Sequence, residues 1–541
     1  MPIPFQRPSP AWLDDAVFYQ VYPQSFADSN GDGIGDLGGL IGKLDYLRSL
    51  GVNALWLNPI FDSPFGDAGY DIRDFRKVAP RYGTNADARL LFREAHKRGM
   101  RVVLDLVAGH VSTEHPWFKA SCEAKPNKYS DWFIWTSDVW TAPPGNFIKG
   151  YAARDGNYLA NFFWFQPALN YGYARLDPAQ LWQQSVDAPG PRAVKAELKS
   201  VMEFWLKAGC DGFRVDMAQS LIKEDTNNSA LNAFWGEFRG WLDCDWPEAI
   251  LVSEWGIPKH AIPAGFHIDF MIHFGEPAYN ALVGTWGKVV GKARDPHVFC
   301  ERAGGGDIRA FLDNYLENLE ATKHLGYISL PTGNHDYPRL RRGRDAAELR
   351  VIHCLLLTLP GVPFIYYGDE IGMDYLENEP AKEGSYANRT GTRTPMQWTP
   401  GHNRGFSTAP ARALYLPVDK RLGSPDVATQ EREPASHLNF IRQLITLRHA
   451  HPALGSRGDF TPLYAKKKRY PFVYARIAGK ERFIIAINPC EKPETSGVLD
   501  LPANATFEPV VTNGARMELS RGRWITVMDG VSFGIFRQRS C

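Results

Sequence analysis

Short apolar runs alternate with amphipathic stretches along the first part of the chain. Residues 16–22 (AVFYQVY), 52–57 (VNALWL) and 101–106 (RVVLDL) are apolar runs of strand length. Between them, Leu40, Leu44, Leu47 and Leu50 recur at helical spacing, and Gly51 stands where a helix-ending glycine belongs. Residues 88–99 again read as helix. Strand–helix–strand alternation on this scale predicts parallel βαβ units. The rhythm stops between residues 110 and 185, a stretch rich in Trp, Tyr, Asn and Gly. It resumes with a helix over 193–208 and strands at 212–216, 250–254, 268–273, 326–330 and 363–367. Three strands before the interruption and five after it make eight, which predicts an α/β fold of the (β/α)8 barrel type. A helix near 436–450 closes it. Beyond residue 456, FVYARI, RFIIAIN and WITVMDG alternate apolar and polar positions, the pattern of an antiparallel β module. The expected organisation is a barrel over 1–109 and 186–455, an inserted domain over 110–185, and a C-terminal β domain over 456–541.

Composition narrows the function classes. Among 541 residues, 61 Lys and Arg against 60 Asp and Glu leave a net charge of +1. Such a chain has no electrostatic footprint for nucleic acid or an anionic membrane. Aromatic residues make up 13%, which suits flat apolar ligands such as sugar rings as well as core packing. The seven cysteines are odd in number, dispersed and without a CxxC pair, which argues against a disulfide framework or a zinc site. The N-terminal stretch lacks the basic start and apolar core of a signal peptide. No run reaches the roughly 18 apolar residues of a membrane span. The reading is a soluble, cytoplasmic protein.

The polar residues that break the apolar runs fall at strand ends, where a barrel of this kind carries its active site. The third strand ends in Asp105 and His110, the fourth in Arg214 and Asp216, the fifth in Glu254; His335 and Asp336 follow the seventh. One strand-end carboxylate is easily a helix cap. Three carboxylates and two histidines on one rim are not. Paired carboxylates among aromatic residues meet the needs of glycoside hydrolysis, where one group attacks as an anion and the other donates a proton. Arg214 lies two residues before Asp216, on the same strand face, so its charge should lower the Asp216 pKa and favour the nucleophile. Trp255, Leu251 and Val252 flank Glu254, and burial should raise its pKa for the acid role.

These residues sit in recognisable motifs: DLVAGH at 105–110, QPALN at 166–170, GFRVD at 212–216, SEW at 253–255, GNHD at 333–336, FIYYGDEIGM at 364–373 and RTPMQW at 393–398. Together they resemble the α-amylase family, glycoside hydrolase family 13, over nearly the whole chain, and most closely its oligo-1,6-glucosidase and α-glucosidase branch. The resemblance implies retention of configuration through a covalent glucosyl-enzyme. It places Asp216 on the nucleophile, Glu254 on the acid/base and Asp336 on the acid that grips the sugar hydroxyls. It implies that His110 and His335 hydrogen-bond the sugar in the −1 subsite and that Tyr70 stacks beneath it. It also implies that Asp71 and Arg393 meet beyond that sugar and close the pocket, as in exo-acting members.

The chain departs from the family at three positions. Gly109 replaces an asparagine that ligates a central calcium in amylases, so that site does not carry over. Ala168 replaces the acid of QPDLN. Met217, after the nucleophile position, is neither the valine nor the smaller residue that accompanies a linkage preference. A separate loop, DSNGDGIGD at 28–36, resembles the start of an EF-hand, with Asp28, Asn30, Asp32, the Ile34 carbonyl and Asp36 at ligand positions. Position 12 is Gly39 instead of Glu. The expectation is a structural Ca²⁺ or Mg²⁺, since the resembling branch binds one there.

The leading expectation is an exo-acting α-glucosidase for small oligosaccharides or disaccharides. A glucosyl transferase or trehalose-synthase-like isomerase is the alternative, because trehalose synthases share the GxRTPMQW stretch found here as GTRTPMQW. A non-catalytic relative, such as the barrel ectodomain of a transporter heavy chain, would lack the carboxylate trio and carry a membrane span.

Overall fold

The computed structural model describes residues 6–140, 143–272, 274–275, 278–284, 297–383 and 389–539. Eight parallel strands form one sheet in the order β7-β6-β5-β4-β3-β2-β1-β8. They are β1 (Phe18–Val21), β2 (Ala54–Leu57), β3 (Arg101–Leu106), β4 (Gly212–Val215), β5 (Ile250–Ser253), β6 (Ile268–Phe270), β7 (Tyr327–Ser329) and β8 (Phe364–Tyr366). Val362 N–H donates to the Ile328 carbonyl at 3.0 Å and Thr332 N–H to the Phe364 carbonyl at 2.9 Å, which draws β7 to β8 and closes the barrel. Helices cover the outside and side chains fill the inside, so nearly every strand residue is buried; this is why the runs read as continuously apolar. Phe18 stacks on Phe364 with ring centroids 4.2 Å apart across the β1–β8 seam.

The expected helices are present with shifted ends. The Leu40–Leu50 stripe is two helices, Leu37–Ile41 and Leu44–Leu50, and Gly51 ends the second in a left-handed conformation (φ 98°). The helix expected over 88–99 is Asn85–Lys97, set earlier by a capping box of Thr84 and Asp87. The helix expected over 193–208 is Pro189–Ala208. Its prolines lie in the first turn, where no backbone N–H is needed, so they start the helix instead of blocking it. The strand expected over 268–273 stops at Phe270; residue 273 lies outside the described residues.

Between β3 and Pro189 the described residues hold a short helix, Pro116–Ser121, and a two-residue strand pair, Phe147–Ile148 and Tyr158–Leu159. The C-terminal segment is an antiparallel sheet built on β9 (Asp459–Tyr464), β10 (Phe472–Ala478), β11 (Glu481–Asn488), β12 (Thr506–Ser520) and β13 (Arg523–Arg539). Its inner face (Val473, Ile484, Met528 and Phe536) is buried. Among the described residues no helix is long and apolar enough to cross a membrane. Six cysteines are unpaired; Cys541 lies outside the described residues.

Candidate active site

A cavity of about 170 Å³ opens at the C-terminal ends of the barrel strands, small beside the roughly 300–1,000 Å³ of common ligand pockets. Asp67, Tyr70, His110, Asp216, Glu254, His335, Asp336 and Arg389 line its polar side, with Phe162, Phe163, Met217 and Phe274 around them. Larger clefts exist elsewhere, but none of them gathers these carboxylates and imidazoles. Arg214 and Arg393 stand just behind the lining.

Strand alternation puts Arg214 and Asp216 on the inner face of β4. Arg214 is buried and binds three carboxylates: Asp105 (2.8 Å) and Asp216 (3.0 Å) through Nη1, and Glu254 (2.7 Å) through Nη2. Its guanidinium lies 4.9 Å from the Trp56 ring centroid. Neighbouring nitrogens of one guanidinium thus hold Asp216 and Glu254 side by side. Met217 takes a left-handed conformation (φ 43°), unusual for a side chain of its size, and turns its N–H onto Glu254 Oε2 at 3.1 Å.

Burial raises the pKa of Glu254 to about 8; Arg214 opposes the shift, and the charges of Asp216 and Asp336 add to it. The expected effect of Arg214 on Asp216 is present but is not the largest one. Arg214 does push it down, but desolvation is larger and the net direction is upward. The order of the two groups remains, with Glu254 the one that keeps its proton near neutrality.

Three aromatic residues and two amides fix the floor. Gln20 Nε2 donates to His335 Nδ1 (3.0 Å), so His335 Nε2 carries the proton facing the Tyr70 hydroxyl (2.8 Å), which donates to Asp105 Oδ2 (2.9 Å). The Tyr70 and His335 rings stack at 5.4 Å. His110 receives Asn161 Nδ2 on Nδ1 (3.1 Å) and faces the Tyr70 carbonyl with Nε2 (3.0 Å). Burial lowers its pKa to about 4 and that of His335 well below the ordinary value, so both imidazoles are neutral. The Asn161 amide occupies the space that a side chain at 109 would need, 2.9 Å from a Cβ built on Gly109.

The closed end differs from the expectation. Asp71 makes no ion pair with Arg393 and is absent from the lining. Its carboxylate is fully buried beneath its own loop, accepting from Ser63 Oγ (3.0 Å), Gly66 N–H (2.8 Å) and Asp67 N–H (3.0 Å). The reason is the turn: Tyr70 N–H bonds the Asp67 carbonyl (2.8 Å) across Ala68 and Gly69, both at positive φ. That bend sends Asp67 and Tyr70 to the cavity and Asp71 inward as the anchor. Asp67 is held by Gln166 of QPALN at 2.8 Å, and the charges of Arg393 and Arg389 act on it. Arg393 itself donates Nε to the His335 carbonyl (2.8 Å) and pairs with Asp336 (3.2 Å); Arg389 pairs with Asp336 at 3.3 Å. Asp67 and Arg389 went unread in the sequence, although each lies within four residues of a residue that was singled out.

The loop at 28–36 lies apart from this cavity. Asp28 accepts from Gly31 N–H and Gly33 N–H (both 2.8 Å) and from Ser407 Oγ (2.5 Å). Asn30 and Asp32 make similar short-range turns with Asp32 N–H and Ile34 N–H. Gly33 packs so closely that a Cβ there would fall 2.1 Å from the Ala413 carbonyl. Asp36 caps the helix Leu37–Ile41 through Gly39 N–H and accepts from Ser29 Oγ and N–H. Among the described residues no three carboxylate, imidazole or thiolate side chains converge on a point suited to a metal.

Comparison with known proteins gives one answer at the level of family. The profile described as alpha amylase, catalytic domain, matches residues 20–457. The chain is 33% identical to the trehalose synthase/amylase TreS of Mycobacterium tuberculosis, covering 93% of this chain and 86% of that protein. It is 30% identical to the oligo-1,6-glucosidase of Parageobacillus thermoglucosidasius, covering 93% and 94%. Among solved structures, a variant of isomaltulose synthase from Erwinia rhapontici NX5 in complex with D-glucose superposes with a TM-score of 0.82 at 25% identity, covering 99% of this chain and all of that one.

Proposed function

Because the chain belongs to the α-amylase family of glycoside hydrolases, we propose that it is a retaining, exo-acting α-glucosidase for short α-glucosides. The observation that carries this reading is the shape and charge of the cavity. It is small, and Asp67, Asp336, Arg389 and Arg393 gather groups that suit the hydroxyls of a terminal sugar.

In this reading the Asp216 carboxylate attacks the anomeric carbon while the bond to the leaving oxygen breaks and Glu254 gives that oxygen its proton. Water then attacks the glucosyl ester, Glu254 takes up the water's proton, and Asp216 is released. The shared Arg214 guanidinium, which holds the two carboxyl groups side by side, supports a retaining separation, because inversion needs room for a water between them. The neutral imidazoles of His110 and His335 hold Tyr70 at the floor of the subsite without adding charge, and the Asp336 carboxylate accepts from sugar hydroxyls. The mostly buried cavity strengthens each of these contacts.

A second reading, glucosyl transfer or isomerisation, is favoured by the aromatic rim. Phe162, Phe163 and Phe274 line the approach to the cavity and would hold a departing sugar in place of water. Product analysis separates the two. On maltose, isomaltose, trehalose and sucrose, hydrolysis should release free glucose in proportion to substrate lost, and soluble starch should be cut only from chain ends. Conversion of one disaccharide into another with little free glucose would establish the second reading. Rapid internal cleavage of starch would contradict both.

We also propose that the loop at 28–36 holds a structural Ca²⁺ or Mg²⁺. The oxygens of Asn30, Asp32, Asp36 and the Ile34 carbonyl suit a hard cation in kind, since Asn30 Oδ1, both Asp32 oxygens and Asp36 Oδ2 each accept one hydrogen bond and keep a further lone pair, whereas both Asp28 oxygens accept two and would have to give one up. Calcium at a hundred times its Kd should stabilise the fold by about 2.7 kcal/mol, seen as a rise in Tm that chelation reverses. A Tm indifferent to both metals would remove the site. The unpaired cysteines support a reducing, cytoplasmic setting.

A further inference from the structure

A cleft of about 450 Å³ opens on the barrel flank between the helix Ala346–Thr358, the turn Asp369–Ile371 and the segment 419–437. It lies outside the catalytic cavity and shares none of its lining. Its cations are Arg341, Arg350 and Arg421, and its acids are Asp374, Asp419 and Glu433. Arg421 forks onto Asp419 (2.9 and 2.6 Å) and reaches Asp374 at 3.2 Å, so both aspartates are engaged there. Glu433 is exposed at the lip.

Arg341 and Arg350 are different. Among the described residues neither has a carboxylate within ion-pair distance. Arg341 donates to the Arg344 carbonyl and Arg350 to the Ala435 carbonyl. Arg350 Nε is buried with no acceptor, and His437 Nδ1 is buried with no hydrogen-bond partner, on a ring only 7% exposed that both guanidiniums act on electrostatically. The other nitrogen of His437 faces His353 Nδ1 at 3.0 Å. A buried N–H without an acceptor, as at Arg350 Nε, is costly, and two guanidiniums without a counter-anion add a charge that the fold leaves unbalanced. The group that meets all these donors together is a small anion with several acceptor oxygens, for which the planar guanidinium fork is suited.

We propose that this cleft binds an oxyanion of the phosphate type, gripped by Arg341 and Arg350 against His437. Isothermal titration of the full chain with inorganic phosphate, in chloride of matched ionic strength, should show one saturable event. Arg341→Gln and Arg350→Gln should each weaken it at least tenfold, the loss expected of one charge-assisted hydrogen bond. Glu433→Gln, a change at an exposed position, should tighten it by removing a repelling charge. Glucose 6-phosphate distinguishes the sources. Tighter binding than phosphate, likewise lost in Arg350→Gln, would mean a phosphorylated sugar, and equal binding would mean free phosphate. The proposal falls if wild-type protein gives no saturable event. It falls if both arginine variants, folded by circular dichroism, bind phosphate as wild type does, or if Glu433→Gln has no effect. It falls too if Arg389→Gln alone abolishes binding, which would put the anion in the catalytic cavity.

Discussion

Replacing Asp216 by asparagine should abolish turnover, with kcat falling by about 10⁴-fold or more, while the folded state and sugar binding persist. The amide is almost the same size as the carboxylate and its oxygen can still accept from Arg214, so the packing around β4 has no reason to change. Arg214 also keeps two of its three carboxylates, Asp105 and Glu254, so no buried cation is stranded. What the amide cannot do is form the glycosyl ester, because its oxygen is a poor nucleophile and carries no charge. Single-turnover kinetics with a disaccharide, beside a thermal melt, would check both halves of this expectation. Activity above about a hundredth of wild type in a folded variant would remove Asp216 from the nucleophile role.

Glu254→Gln should lower kcat/KM on natural disaccharides by roughly 10²- to 10⁴-fold, the span expected for losing a general acid. On substrates whose leaving group is already acidic, such as a nitrophenol, formation of the glucosyl-enzyme needs no proton and should recover. The pH profile provides a second, independent readout. In wild type the required form has Asp216 ionised and Glu254 protonated. Activity should therefore fall on the acid side as Asp216 gains a proton. It should fall on the alkaline side as pH rises through about 8, where Glu254 loses the proton it must donate. In Glu254→Gln the alkaline limb should vanish and the acid limb remain, since the glutamine does not titrate. An alkaline limb that survives the substitution would assign the acid to another group.

Much of this architecture is local information. An apolar run of four to six residues, buried on both faces, reads the same in any parallel barrel, and the turn and cap residues between runs mark where helices begin. Gly51 could be placed in advance because a left-handed turn depends on the residue and its near neighbours, whereas the helix expected from residue 88 starts earlier, at the Thr84 cap. The adjacency of Arg214 to Asp216 needed only the two-residue period of a strand. Other features depended on how distant segments pack. Asp67 and Asp71 are four residues apart and chemically the same. Only the bend across Ala68 and Gly69 sends one to the cavity and the other under the loop. Arg389 reaches Asp336 across more than fifty positions of chain, a contact that no spacing encodes. The pKa of Asp216 could not be read from its neighbour either, because the desolvation that outweighs Arg214 comes from side chains gathered from several strands. Sequence by itself determined the order of strands, the strand-end position of each carboxylate and the interruption after the third strand. The tertiary structure decided which side chains share a cavity and which way burial moves their protons, because direction and desolvation belong to the packed molecule and not to any one stretch of it.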